Sequence, residues 1–173
     1  MSETEVTNIR NPGDLVFSID NEIMAVPLAL NQTIVPGDVV VVGGTGNEAS
    51  IATSTNIDSS KGVGVCIFEG GIRGATGSEE VLIQIATGNA YVVCKATGTI
   101  KPFENIKVGA VGATTQGSVV ASLIPGTITA TNLGSYVKET IGRSYGNPGE
   151  MVKPGNVVGT AAAPLPLVVR LGN

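Results

Sequence analysis

The residue types that carry most protein chemistry are sparse in this chain. Its 173 residues include no histidine, which removes the commonest general base near neutral pH. Two cysteines, Cys66 and Cys94, each lie inside an apolar run, Val63-Gly64-Val65-Cys66-Ile67-Phe68 and Ala90-Tyr91-Val92-Val93-Cys94-Lys95-Ala96. That placement reads as two small buried hydrophobes, with a disulfide as the alternative. Two thiols without histidine do not fill a zinc ligand set. Carboxylates are adjacent at Glu79-Glu80 and close at Asp20 and Glu22. Neighbouring strand residues point to opposite faces, so Glu79-Glu80 reads as a solvated loop edge rather than an acid/base dyad. Gly70-Gly71-Ile72-Arg73-Gly74 invites comparison with a phosphate cradle. It lacks the Lys-Ser/Thr pair, and no helical pattern follows it. The expectation is a non-enzyme with no catalytic, cofactor-binding or metal-binding residues.

The elements that would have to position any site are turns and short strands. Pro36-Gly37-Asp38 precedes four consecutive valines, 39–42, and Gly43-Gly44 closes the run. Proline fixes φ at the first central position of a turn, and glycine accepts positive φ at the second. Four β-branched residues in a row resist a helix and suit a strand buried on both faces. The Pro-Gly element recurs at residues 12, 125, 148 and 154, so five of the nine prolines precede glycine. The fold expected is all-β: a compact β-barrel or β-tulip-like sandwich of short strands with an extended N-terminal arm.

Taken in order, residues 1–10 carry no structural period and read as an arm. Residues 15–19 read as a short strand. Residues 22–30 are ambiguous between helix and strand, with Pro27 arguing for an extended edge. The glycine-rich stretch 69–78 is expected to be a mobile loop. Residues 80–86 and 90–96, separated by Thr87-Gly88-Asn89, read as a β-hairpin. The second half echoes the first: 37–54 is matched by 104–122, 61–66 by 138–143, and 81–88 by 165–172, with longer spacers in the second copy. The expected organisation is an arm and leading strand over 1–30 and a single β domain over 31–173, with repeat halves 31–97 and 98–173. Neither half could bury its own face, so the two would pack together.

Charge and hydropathy exclude several functions. The net charge is −4, and 42% of residues are hydrophobic against 14% charged, which is not the composition of a disordered polyelectrolyte. Up to residue 60 there are eight acids and a single base, Arg10. That acidic third reads either as solvated surface or as a face for a basic neighbour. No basic cluster is interleaved with aromatics, so nucleic acid is not an expected partner. No apolar run reaches the roughly 20 residues of a membrane span. The first residues lack the basic and apolar regions of a signal peptide, so neither membrane nor export is expected.

Pro-Gly-Asp-Val-Val-Val-Val-Gly at 36–43, the Gly-Val-Gly-Val strand at 62–65, and Val-Leu-Ile-Gln-Ile-Ala-Thr-Gly-Asn-Ala-Tyr-Val at 81–92 together resemble the small capsid decoration (cement, head-stabilising) proteins of tailed phages and related viruses. The likeness covers about residues 34–172, including the closing strand Leu167-Val168-Val169-Arg170-Leu171. It implies a β-barrel or β-tulip that forms a homotrimer. The partner would be the major capsid protein, bound on the outer capsid surface at three-fold or quasi-three-fold positions, after synthesis in the host cytoplasm. Strands rich in Gly, Ala, Thr and Val suit rigid stacked sheets, and a trimer would cover strand edges that a monomer leaves open. The arm is the expected gripping element, through Val6, Ile9 and Arg10. Alternatives are another non-catalytic virion component, such as a tail, spike or carbohydrate-binding β module; exposed aromatics clustered on one strand face would favour the last, and Tyr136 with Tyr145 is slight support for it. A trimeric β-barrel nucleotide hydrolase is less compatible: residues 141–146 match it only faintly, and its aspartate-bearing motif and Gly-rich C-terminal arm are absent.

Overall fold

The computed structural model describes residues 10–17, 23–44, 46–57, 60–76, 79–109, 117–122, 129–146, 157–160 and 163–172. Among them the chain is all-β apart from one helix. The first strands are β1 (Leu15–Phe17), β2 (Ile23–Pro27), β3 (Gln32–Ile34), β4 (Val39–Gly43), β5 (Glu48–Ile51), β6 (Gly62–Ile67), β7 (Gly71–Arg73) and β8 (Leu82–Ala86). They are followed by β9 (Tyr91–Ala96), β10 (Gly98–Ile100), β11 (Asn105–Val108), β12 (Val119–Ala121), the helix α1 (Ala130–Glu139), β13 (Thr140–Gly146), β14 (Val157–Gly159) and β15 (Leu165–Leu171).

The strands form two small rings of the same design. In the first, the order is β2-β8-β6-β4-β5, every ladder antiparallel, and a single parallel bridge, Leu28 to Ala49, ties the ends. In the second, the order is β9-β15-β13-β11-β12, again antiparallel throughout. A single parallel bridge, Val119 to Ala96, closes it into a barrel. Each ring carries a two-stranded ribbon, β3–β7 on the first and β10–β14 on the second. The central pairs of the ribbons correspond, Thr33 with Ile72 and Thr99 with Val158. The internal repeat is therefore topological, strand for strand. It runs from β2 to β8 and from β9 to β15, displaced from the expected halves 31–97 and 98–173.

That displacement corrects two readings. Residues 80–96 are not a hairpin: β8 pairs with β2 and β6, whereas β9 pairs with β1, β12 and β15. Thr87-Gly88-Asn89 is the link between repeats, so its turn chemistry joins two rings instead of two partners. Similarly, β2 is no leading element but the first strand of ring one, and residues 23–27 are strand throughout. The glycine-rich 69–78 stretch also contains regular structure. Gly71–Arg73 is β7, laddered to β3. A side chain at Gly70 would sit 2.0 Å from the Ile34 carbonyl, so glycine here serves close strand approach.

The four valines of β4 divide between two cores, as a strand buried on both faces requires. Val40 joins Leu28, Ile34, Ala49, Cys66, Ile83 and Ile85 inside ring one, with Val42 packed against them. Val39 and Val41, with Val65 and Ile67 of β6, face the other way and merge with the interior of ring two, which includes Val92, Cys94, Ile106, Leu167 and Val169. Each fully buried valine or isoleucine contributes about 1.5–3 kcal/mol. The second cluster therefore binds the repeats into one body.

Among the described residues, three turns of one type hold the strand starts; the Pro-Gly pairs at 125, 148 and 154 lie outside them. Asn11-Pro12-Gly13-Asp14, Val35-Pro36-Gly37-Asp38 and Lys101-Pro102-Phe103-Glu104 each place positive φ at the third residue, 91°, 85° and 65°. In each, the fourth residue's carboxylate accepts the first residue's N–H at 2.8 Å. Each turn then docks on a strand through a pair of backbone bonds. Gly13 and Asp14 bond Val93, Gly37 and Asp38 bond Cys66, and Phe103 and Glu104 bond Ser144. The first two turns are stacked: a Cβ on Gly37 would lie 2.4 Å from the Pro12 Cβ, and one on Gly13 would lie 2.3 Å from the Pro36 Cβ.

Candidate functional site

The residues singled out by sequence do not converge. Val6 and Ile9 lie outside the described residues, as do Asp20 and Glu22. Arg10 is described, and its guanidinium donates to the Leu15 carbonyl at 3.5 Å. Glu79 and Glu80 are both solvent-exposed. Cys66 and Cys94 are free and buried, and they belong to different cores. Burial, and then the Asp38 charge, pushes the Cys66 thiol up to about 11, while the same two causes raise Cys94. Neither is therefore an activated nucleophile. Residues 141–146 lie within β13. Among the described residues, no group of three His, Cys, Asp or Glu side chains is placed to hold a metal ion.

One ionised pair sits at the junction of the rings. Asp38, at the start of β4, is buried, and its Oδ1 faces the Lys95 Nζ of β9 in an ion pair. The Lys95 backbone N–H also donates to the Gly37 carbonyl. Burial raises the Asp38 carboxyl above its ordinary value, only partly offset by Lys95 and the Val35 N–H. The pair is a clasp between the repeats and offers no open face to a substrate. Within ring one, Arg73 of β7 donates to the Leu28 carbonyl and to Glu48 Oε1, the latter at 2.9 Å.

The outer face of ring two is different. Register places Asn105 opposite Arg143, Arg143 opposite Arg170, and Arg170 opposite Tyr91, on the adjacent strands β11, β13, β15 and β9. Directly opposed residues project from the same face, so these four form one row. Arg143 Nε donates to Asn105 Oδ1 at 3.1 Å, and an Arg170 Nη donates to Asn89 Oδ1 at 3.4 Å. The Asn105 amide in turn donates to the Tyr136 hydroxyl of α1 at 2.6 Å. Both arginines are exposed, and among the described residues neither makes an ion pair. Asn89, Asn105, Arg143, Arg170 and Gly172 line a cleft of about 240 Å³.

An aromatic ladder borders this row. Phe103 meets Tyr145 with centroids 5.4 Å apart, and Tyr145 meets Tyr91 at 5.2 Å, both edge-to-face. Tyr145 sits at a register shift of β13 between Ser144 and Gly146, and its ring contact with Tyr91 places it beside the row. Burial, then hydrogen bonding to Tyr145, raises the Tyr91 phenol, and Arg170 opposes the shift. Phe103 is the unusual member. It holds φ 65° where the two sister turns have glycine, yet its ring is 60% exposed. A non-glycine residue in the left-handed region costs about 1–2 kcal/mol, and here the ring is not buried in return.

Sequence reading missed this face for a physical reason. Arg143 and Arg170 are 27 positions apart and become neighbours only through the β13–β15 register. The available signals were Tyr136 with Tyr145, which both come to this face, and the third turn, where Pro102-Phe103-Glu104 stands in place of Pro-Gly-Asp. No family model, curated protein or solved structure matches the chain.

Proposed function

We propose that the chain is a non-catalytic virion structural protein, a decoration or cement protein that binds the outer capsid surface as a homotrimer and stabilises the head. The observation that carries this reading is an exposed apolar side chain at the same place in both ribbons. Ile72 on β7 is 73% exposed and Val158, its counterpart on β14, is 59% exposed. Leu82 and Leu165, at the starts of the equivalent strands β8 and β15, are also more than 40% exposed. Apolar side chains repeated at equivalent places on both rings suit burial against neighbouring chains in an assembly. The all-β framework, with its backbone groups taken up in closed ladders, supplies the rigidity such a role needs.

The N-terminal arm, through Val6, Ile9 and Arg10, is the gripping element in this reading, adding a strand to the capsid or a neighbouring subunit. The decisive experiment measures the solution mass of the purified protein and its co-sedimentation with capsids, for the full chain and for a chain lacking residues 2–10. A trimer in solution or on the capsid, with occupancy that falls on truncation, is expected. A chain that stays monomeric on capsids, or that never co-sediments, overturns the reading.

A further inference from the structure

We infer that the outer face of ring two is a binding site for an acidic saccharide, one whose sugar carries a carboxylate. The inference stands on the site's geometry and not on the capsid reading. Two like charges placed directly opposite each other across a ladder are destabilising on their own. Arg143 and Arg170 are so placed, and no described carboxylate neutralises them. A planar carboxylate between two guanidinium forks would remove the repulsion and accept charge-assisted hydrogen bonds. The Asn89 and Asn105 amides flank the pair, offering donors and acceptors suited to hydroxyl groups. Beside them, the rings of Phe103, Tyr145 and Tyr91 are each turned 73° to the next. That arrangement makes a stepped apolar wall on which the C–H face of a sugar ring can rest.

Phe103 is the most informative residue. The equivalent turn residue in ring one is Gly37, so the fold itself calls for glycine at this place. Keeping an exposed ring there against backbone strain is the pattern of a functional contact. A nucleic acid would also meet arginine and aromatic groups. However, tight binding to that polyanion draws on some 6–10 phosphate contacts, and this row holds two cations on a chain of net charge −4.

The test is calorimetric titration of the full chain with a defined oligo-uronate of four sugars. Parallel titrations use the same oligosaccharide with its carboxylates reduced to alcohols, inorganic phosphate, and a short single-stranded oligonucleotide. Saturable binding to the oligo-uronate is expected, at least about tenfold tighter than to the reduced form, the scale of a lost charged hydrogen bond. Arg143→Gln and Arg170→Gln should each weaken it about tenfold, with melting temperatures unchanged or raised because the repulsion is relieved. Phe103→Gly should weaken it about three- to tenfold while keeping the turn that Gly37 already builds. Absence of oligo-uronate binding overturns the inference. So does equal binding of the reduced form, tighter binding of phosphate or the oligonucleotide, or full affinity in the arginine variants.

Discussion

Gly37 and Phe103 occupy the same place in sister turns, and their substitution should have opposite consequences. Gly37→Ala sets a Cβ 2.4 Å from Pro12 in a backbone already at φ 85°. Both the clash and the strain must be relieved by separating two packed turns, so a loss of about 3 kcal/mol or more is expected in chemical denaturation. Phe103→Gly removes left-handed strain of about 1–2 kcal/mol and loses an aromatic contact of about 0.5–1.5 kcal/mol. Its stability should stay within about 1 kcal/mol of the parent. A large loss in Phe103→Gly would show that the exposed ring is a packing residue after all. Asp38 carries a prediction of a different kind. Its carboxyl is raised in the folded state, so the folded chain holds that proton more tightly than the unfolded one. Stability from this group is therefore complete below the unfolded value of about 3.9 and declines as pH rises through the raised folded value. Asp38→Asn keeps an acceptor for the Val35 N–H and removes the titration. The parent's stability minus the variant's should thus fall as pH rises from about 4, and a difference that grows instead would reverse the assigned sign.

Strands were more legible than their partners. The valine run of β4 and the Pro-Gly turns at residues 12 and 36 announced themselves because β-branching and fixed φ act locally, without regard to what lies opposite. The echo between halves was also readable, since equivalent strands need similar side chains. Partner choice was not: β8 and β9 flank a good turn, yet each finds a better ladder elsewhere. The helix α1 was hidden for the opposite reason. Thr131, Asn132 and Gly134 are weak helix formers that interrupt Ala130 and Leu133, and the first turn holds no acidic residue. It is held instead by tertiary bonds, Tyr136 to Asn105 and Glu139 to Lys107 at 2.9 Å. The shared core leads to an experiment on elements. Ring two's interior continues into Val39, Val41, Val65 and Ile67 of ring one, so each repeat alone would expose its part of that shared core. Residues 1–88 and 89–173 expressed separately should each lack a cooperative thermal transition. Mixed, they should recover one as an equimolar complex visible by size-exclusion chromatography. A cooperative transition in either half alone would mean that the rings are independent.

At the scale of the molecule, the two ribbons present Ile72 and Val158 at matching positions on two unlike rings. A trimer built on these faces would alternate between two kinds of ring around its axis and so have pseudo-six-fold contacts. Replacing both residues with threonine keeps β-branching and removes apolar area. Under the proposed function, the double variant should fold with an unchanged circular dichroism spectrum. Its trimer should dissociate at a concentration at least about tenfold higher, as expected for loss of roughly 1.4 kcal/mol of burial. An unchanged dissociation would place the contact elsewhere.

The strand β9 has one further consequence. It is flanked by β1, near the start of the chain, and by β15, near its end, and it runs antiparallel to both. The two flanking strands therefore point the same way, and the chain leaves β1 at one end of β9 and β15 at the other. Tension applied between the termini slides β1 and β15 in opposite directions along β9. Both ladders then resist in shear, the six pairs from Leu165 to Arg170 on one side and, on the other, the two pairs of β1 with the bonds of Gly13 and Asp14 to Val93. Ring one lies outside this path. A pull on the two ends therefore meets at β9, and the short ladder to β1 is the one that yields first.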